Sequence, residues 1–271
     1  ILAAALHASW NAMVKGAADK DLTMAAVVIG HAPFAVIAIA VSPTPDAASW
    51  GWIALSTVLH LGYQLFLLRS YRTGDLTQVY PIARGAAPLL VSLVSVVVLG
   101  EALSFGQQVG VLLIGCGVAS VAIGGRASPD RMSAVYALIT ACFIASYSLS
   151  DGIGARAAGT ALGYYGWLGL LNALVFVAFT ALTRPHLLSL LIGPRRGLLL
   201  IGGGASFIAY AIVTWAFTQA PIALVTALRE TSILFALAIG VLILNEKLNI
   251  RRVISAFVTL LGAILLRVSR G

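Results

Sequence analysis

Long apolar stretches follow one another along the whole chain, separated by short segments that hold charged and turn-forming residues. Each stretch has about 20 residues, and a helix of that length rises about 30 Å, which matches the hydrocarbon thickness of a bilayer. The breaks predict ten membrane-spanning helices, at residues 1–17, 22–42, 50–70, 76–99, 104–124, 132–153, 160–183, 197–218, 221–244 and 250–268. Apolar positions do not alternate with polar ones, so membrane-spanning strands are not expected.

The composition excludes a soluble globular protein. Of the 271 residues, 60% are hydrophobic and 10% are charged, whereas soluble chains contain about 25% charged residues. The formal net charge is +8, but Lys and Arg stand singly or in pairs between the apolar stretches, where they anchor helix ends at the lipid headgroups. Nucleic-acid binders instead cluster these residues on one face. The expected surroundings of the chain are therefore the lipid bilayer, and no nucleic-acid partner is expected.

A polar segment near the middle of the chain separates two sets of five spans. It reads GGRASPDR over Gly124–Arg131 and holds the glycine, proline and charged residues typical of a linker. The sequence therefore predicts a first five-helix repeat over residues 1–125, a linker over 126–131 and a second five-helix repeat over 132–271.

The two halves carry the same rare polar residues in register. When the second half is shifted by 145 positions, Arg84 falls on Arg229 and Glu101 falls on Glu246, and such matches are informative because charges are scarce in membrane spans. Since each half has an odd number of spans, the second half enters the membrane from the opposite side. The predicted fold class is an all-α integral membrane protein whose ten transmembrane helices form two inverted five-helix repeats, an architecture typical of secondary transporters.

Two related motifs end the fourth span of each half: LGEALS at Leu99–Ser104 and LNEKLN at Leu244–Asn249. Their placement resembles the duplicated unit of EamA-type transporters in the drug/metabolite transporter superfamily. Within that superfamily, the chain is most similar to ten-helix YddG-type aromatic amino-acid exporters of the bacterial inner membrane. We interpret the motif itself as structural, since Ser104 or Asn249 can cap the next helix.

The orientation of the chain in the membrane stays open. Lys and Arg number 12 in or beside the odd-numbered loops and 3 in the even-numbered loops plus the C-terminus, which predicts that both termini lie outside. Members of the resembled family are usually drawn with both termini inside.

No cleavable signal peptide is expected, because the apolar opening Ile1–Leu6 lacks a basic segment, and a short native N-terminus is expected to precede it.

Two polar–aromatic stripes interrupt the apolar spans. His7–Asn11 and His60–Gln64 both read His, two small or apolar residues, an aromatic and an amide, and positions i, i+3 and i+4 share one helix face. Lipid cannot satisfy these groups, so the stripes should face a cavity or pack between helices. The predicted substrate-binding residues are His7, Trp10, Asn11, His60, Tyr63, Gln64, Tyr80, Tyr147 and Tyr210. Such a lining suits a substrate with a ring and a small polar end.

Arg84 and Arg229 are the intramembrane arginines, and two interpretations of them stay open. Each either anchors a substrate carboxylate or phosphate or ties its helix to a neighbour. The acidic residues Glu230 and Asp151 do not by themselves indicate proton coupling, since Glu230 adjoins Arg229 and Asp151 lies near the predicted end of a span.

Glycines within the spans are predicted to form helix-contact faces, because small residues four apart allow close packing. The glycines concerned are Gly106 and Gly110, Gly159 and Gly163, and Gly202 to Gly204.

The function predicted from these features is a secondary exporter of amino acids, aromatic ones by resemblance, and of related metabolites. A drug or organic-anion exchanger of the same fold and a passive channel are alternatives. A membrane-embedded enzyme using His7 or His60 as a base is disfavoured, since no nucleophile or metal-ligand arrangement accompanies them. No phosphate-binding loop occurs, so neither ATP hydrolysis nor an ATPase partner is implied, and no cofactor or metal is expected.

Overall fold

The computed structural model describes residues 2–17, 19–73, 76–120, 131–193, 196–242 and 250–269. Apart from turns and one 3-10 turn at Ala47–Ser49, these residues are α-helical, which confirms the all-α prediction for the part of the chain described. The helices are α1 (Leu2–Gly16), α2 (Lys20–Ile29), α3 (His31–Val41), α4 (Trp50–Thr73), α5 (Leu76–Val97), α6 (Phe105–Ser120), α7 (Arg131–Ala157), α8 (Ala161–Thr183), α9 (His186–Ile192), α10 (Arg196–Phe217), α11 (Ile222–Arg229), α12 (Ser232–Leu242) and α13 (Ile250–Val268).

The helices follow the predicted spans closely. The second span is broken at Gly30 into α2 and α3, and the ninth is broken at residues 230–231 into α11 and α12. Within the described ranges, five helical segments are long and apolar enough to cross a membrane: Lys20–Val41, Ala47–Ser70, Met132–Ala157, Ala161–Thr183 and Arg196–Phe217. Shorter apolar helices occupy Ile82–Val97, Phe105–Ser120 and Val253–Leu266. The predicted linker lies outside the described residues except for its last position, Arg131.

The stretch between the seventh and eighth predicted spans, residues 184–196, contains a short helix. His186–Ile192 forms the helix α9, which packs against α2, α8 and α10. Leu187 and Leu191 are both buried, and their spacing of four places them on one helix face. A helix therefore forms here because it buries both leucines together, which a turn would not.

The chain divides into two compact units. The first unit comprises Leu2–Leu61 and Ser150–Gln219, and the second comprises Gly62–Leu149 and Ala220–Gly271. Each unit draws on both halves of the sequence, and the helices α4 and α7 contribute to both. The two units are defined by contacts in space, whereas the two predicted repeats are defined by similarity along the sequence. The predicted domain boundaries therefore stay a prediction.

In the first unit, α1 and α2 pack against α10, and α3 packs against α8. Gly30, at the break between α2 and α3, lies against Gly203 on α10. A Cβ atom at Gly203 would lie 2.5 Å from the Cα of Gly30, so neither position has room for a side chain. The predicted contact face at Gly202 to Gly204 is thereby confirmed at Gly203.

We expect the substitution Gly203→Ala to lower the free energy of unfolding by about 1–3 kcal/mol, because the added methyl group meets the backbone of Gly30. Gly197→Ala is the matched control on the same helix, since nothing lies within 4 Å of its Cβ position, and it should be neutral or stabilise by up to about 1 kcal/mol. Thermal unfolding in detergent, followed by circular dichroism, compares the two. Equal stability of both variants would contradict the close contact.

In the second unit, α6 packs against α5 and α13. The contact between α6 and α13 is again made by glycines, because a Cβ atom at Gly262 would lie 2.7 Å from the carbonyl oxygen of Gly110. This places Gly110 on a helix-contact face, as its spacing from Gly106 predicts.

The first of the two motifs has a structural role. Both carboxylate oxygens of Glu101 accept from the backbone N–H of Ile222, at 3.1 and 3.0 Å, at the start of α11. The hydroxyl of Ser104 accepts from the N–H of Gln107 at 3.3 Å, and the Gln107 side chain accepts from the N–H of Ser104 at 2.9 Å. This reciprocal pair is a capping box, so the predicted cap at Ser104 is confirmed. Glu246 and Asn249 of the second motif lie outside the described residues.

Candidate functional site

The three predicted residues of the first polar–aromatic stripe contact one another on α1. On α1, the indole N–H of Trp10 donates to Nδ1 of His7 at 3.2 Å, and the two rings meet edge to face at 5.0 Å. The Asn11 amide donates to the carbonyl oxygen of His7 at 2.7 Å. Trp10 is buried and packs against Val27 and Ala205. These three predicted residues thus form one local group in the first unit.

Around Asp151, four helices of the first unit bring polar side chains together. Asp151 on α7 is fully buried, with 0% exposure. Its Oδ2 lies 3.0 Å from Nε2 of His60 on α4 and accepts from the hydroxyl of Tyr210 on α10 at 2.6 Å. Its Oδ1 accepts from the hydroxyl of Tyr164 on α8 at 3.3 Å. We call these four residues the Asp151 cluster, and it unites two predicted residues, His60 and Tyr210.

The turn between α7 and α8 sets Tyr164 beside Asp151. Gly159 in this turn has φ of +66°, a left-handed conformation that favours glycine. Thr160 then caps α8, since its hydroxyl accepts from the N–H of Gly163 at 3.1 Å. Because the connection is this short, α8 begins close to the end of α7, and its first turn faces the carboxylate.

The hydrogen bonds to Asp151 offset the energetic cost of burying its charge in the protein interior. A buried charge is costly unless it is paired and hydrogen-bonded, and charge-assisted hydrogen bonds are stronger than neutral ones. Two tyrosine hydroxyls donate to Asp151, and the His60 side chain, which retains 12% exposure, lies at ion-pair distance. The buried carboxylate therefore has a hydrogen-bond donor on each of its two oxygens.

Aromatic rings extend from the Asp151 cluster. The ring of Tyr210 meets His60 edge to face at 5.4 Å and lies 5.1 Å from Tyr165. Tyr165 lies 4.9 Å from Phe207, which in turn lies 5.8 Å from His31. We call these five residues the ring wall. A carboxylate beside such rings can recognise an ammonium group attached to an apolar body.

Sequence reasoning missed two of the four members of the Asp151 cluster, Asp151 itself and Tyr164. It assigned Asp151 to the end of a span, but α7 continues to Ala157, and Asp151 is buried. The signal was present in residues 152–155, Gly-Ile-Gly-Ala, which are apolar or small and allow the span to continue. Tyr164, Tyr165 and Phe207 carry no comparable signal, since an aromatic residue in an apolar span is ordinarily a packing residue.

The second unit holds the remaining described residues of the predicted pocket. The rings of Tyr63 and Tyr147 meet at 5.4 Å, and the guanidinium carbon of Arg229 lies 5.8 Å from the centre of the Tyr147 ring. Gln64 is buried. The side chain of Tyr80 lies outside the part of the structure described.

The two intramembrane arginines share one carboxylate. Nε of Arg84 lies 2.8 Å from Oε2 of Glu230, and Nε of Arg229 lies 3.6 Å from Oε1. All three residues of this arginine–glutamate triad are at most 4% exposed. The contact between Arg84 and Glu230 joins α5 to the break between α11 and α12, whereas Arg229 and Glu230 are neighbours in the sequence. A role of either arginine as a tie between helices stays a prediction. Anion binding by either arginine stays a prediction.

Comparison with known proteins agrees with this architecture. A solved structure titled "Crystal structure of protein" matches with a TM-score of 0.75 and 18% sequence identity, covering 98% of this chain and 94% of that chain. At this identity the likeness shows the fold alone. A search of curated proteins gave no match.

The model of the EamA-like transporter family matches residues 1–123 and 131–268. Members of this family have two repeats of five helices, which confirms the predicted fold class. The family consists of membrane transporters of the drug/metabolite type, so a small-molecule substrate and a lipid environment follow. Since the family model covers nearly the whole sequence, the chain belongs to the EamA-like transporter family.

Proposed function

We propose that the chain is a secondary exporter of amino acids, aromatic ones above all, and of related metabolites that carry an ammonium group. Its proposed location is the bacterial inner membrane. The observation that carries the proposal is the buried carboxylate of Asp151 beside the ring wall. The sequence resemblance to YddG-type exporters supports the same substrate class.

Each part of such a substrate has a complementary group in the first unit. The ammonium group suits the carboxylate of Asp151, which already accepts hydrogen bonds from Tyr164 and Tyr210. An aromatic side chain suits the rings of Tyr165 and Phe207, because aromatic pairs favour offset and edge-to-face contacts. An organic anion would be repelled by the carboxylate, so the organic-anion alternative is not favoured at this cluster.

For the transport cycle, we propose alternating access between the two five-helix repeats. An odd number of spans in each repeat makes the second repeat enter the membrane from the opposite side, and inverted repeats of this kind support alternating access in other secondary transporters. The breaks in the second and ninth spans, at Gly30 and at residues 230–231, supply places where helix segments can change their relative angle.

Tryptophan counterflow in proteoliposomes tests the proposal. Vesicles loaded with unlabelled tryptophan should accumulate labelled tryptophan faster than protein-free vesicles. Tryptamine, which keeps the ammonium group but lacks the carboxylate, should compete with tryptophan. Indolepropionate, which keeps the carboxylate but lacks the ammonium group, should compete poorly, because Asp151 repels it.

Two results would contradict the proposal in different ways. Tryptophan flux equal to that of protein-free vesicles would reject the substrate class. Stronger competition by indolepropionate than by tryptamine would favour an organic-anion exchanger and would remove Asp151 as the substrate contact.

A further inference from the structure

His31, a member of the ring wall, holds a buried nitrogen atom without a hydrogen-bond partner. It is the first residue of α3, and its ring meets those of Phe207 and Tyr165 edge to face at 5.8 and 6.3 Å. The residue as a whole is partly exposed, but its Nε2 atom is buried and forms no hydrogen bond with the described residues. Because an unpaired buried polar atom is unfavourable, this nitrogen gains most from a ligand that pairs with it.

The packing of two glycines explains why His31 lies beside the ring wall. Gly30 lies against Gly203 on α10, and Phe207 follows Gly203 by four residues, which places both on one face of that helix. Since His31 directly follows Gly30 in the sequence, the glycine contact brings the first residue of α3 beside Phe207.

One aromatic ring, that of Tyr165, lies beside both the Asp151 cluster and His31. Its centre is 5.1 Å from the ring centre of Tyr210, whose hydroxyl donates to Asp151. The same ring is 6.3 Å from that of His31. A substrate whose ammonium group binds Asp151 and whose own ring lies along Tyr165 therefore places the far edge of its ring beside His31.

We propose that His31 selects aromatic amino acids that carry a hydrogen-bonding group at the far edge of the ring, an inference that rests on the proposed function. An imidazole nitrogen donates or accepts a hydrogen bond, according to its tautomer. The phenol hydroxyl of tyrosine can do both, and the phenyl ring of phenylalanine can do neither. A site that pairs a buried polar group with its substrate disfavours the analogue that leaves this group unpaired. Tyrosine should therefore bind more tightly than phenylalanine.

Competition against labelled tryptophan in the counterflow assay measures this preference. A hydrogen bond of ordinary strength corresponds to about a two- to tenfold difference in affinity, so half-inhibition should require that much more phenylalanine than tyrosine. In 4-fluorophenylalanine, a weakly hydrogen-bonding atom replaces the hydroxyl, so this analogue should compete like phenylalanine. If it competes like tyrosine, the preference comes from filling space, and the role of His31 is overturned.

A pair of matched variants locates the preference. His31→Phe keeps a ring against Phe207 and Tyr165 but removes the nitrogen, so tyrosine and phenylalanine should compete equally. His186→Phe makes the same change at an exposed residue that also begins a helix, α9, and should keep the wild-type preference. Because the preference compares two inhibitors on one protein, it does not depend on how much of a variant is correctly folded.

The possible results separate this inference from the proposed function. Absence of tryptophan counterflow in the wild type would reject the proposed function and this inference with it. Counterflow in which tyrosine and phenylalanine compete equally would overturn the role of His31 and leave the proposed function standing. A wild-type preference that persists in His31→Phe would also overturn it, since the nitrogen would then contribute nothing to the selection.

Discussion

Replacing Asp151 with asparagine should abolish most tryptophan counterflow while the protein still folds. Asparagine has the same size, and its carbonyl oxygen can still accept a hydrogen bond from Tyr210 or Tyr164. The negative charge that meets the substrate ammonium is lost. Hydrogen bonds to charged groups contribute about 1.5–3 kcal/mol, so tryptophan should bind roughly ten- to hundredfold more weakly. The measurements are counterflow at several tryptophan concentrations and size-exclusion chromatography of the purified variant.

Asp46→Asn provides the matched control. Asp46 belongs to the same compact unit but is exposed, in the segment that precedes α4. The chemical change is identical, yet no buried charge is removed, so counterflow should match the wild type. If Asp151→Asn and Asp46→Asn transported tryptophan equally well, Asp151 would not be the ammonium-binding group. The hydrogen bonds of the carboxylate would then only hold α8 and α10 against α7.

The second large effect concerns stability. We expect Glu230→Ala to lower the free energy of unfolding by about 3–5 kcal/mol, because removing one partner of a buried ion pair leaves charge without compensation. Glu230 is 2% exposed and contacts both Arg84 and Arg229, so both guanidinium groups lose a partner. Thermal or denaturant unfolding in detergent measures the loss. Protein yield should fall in parallel.

A double-mutant cycle distinguishes this loss from a general effect of truncating a side chain. Arg84→Ala and Glu230→Ala in one protein should cost less than the sum of the two single substitutions, because residues in direct contact are energetically coupled. Strict additivity, or a stability of Glu230→Ala within about 0.5 kcal/mol of the wild type, the range of an ordinary surface substitution, would contradict the ion pair.

The arrangement of spans was predictable because membrane insertion acts on local sequence. A lipid-exposed backbone must satisfy its own hydrogen bonds, so each apolar stretch becomes a helix. The predicted boundaries therefore match the observed helices within a few residues for α4, α8 and α10. The breaks at Gly30 and at residues 230–231 were less accessible to this reasoning, since each lies inside a single predicted span.

The candidate site was predictable only in part. Helical spacing identified His60 as a polar residue on an interior face, and its contact with Asp151 agrees with that. The same spacing grouped His60 with Tyr63, one turn further along α4. In the structure, however, His60 contacts residues of the first unit, whereas Tyr63 contacts Tyr147 in the second. Neighbours on one helix face therefore belong to different local environments.

The sequence by itself determined the class of molecule: an all-helical membrane protein with two repeats, in which every intramembrane charge needs a partner. These properties follow from hydrophobicity and helical periodicity, which depend on residues close together in the chain. Only the tertiary structure decided which partners meet. Asp151 and His60 are separated by 91 positions, and whether such residues touch depends on how whole helices pack.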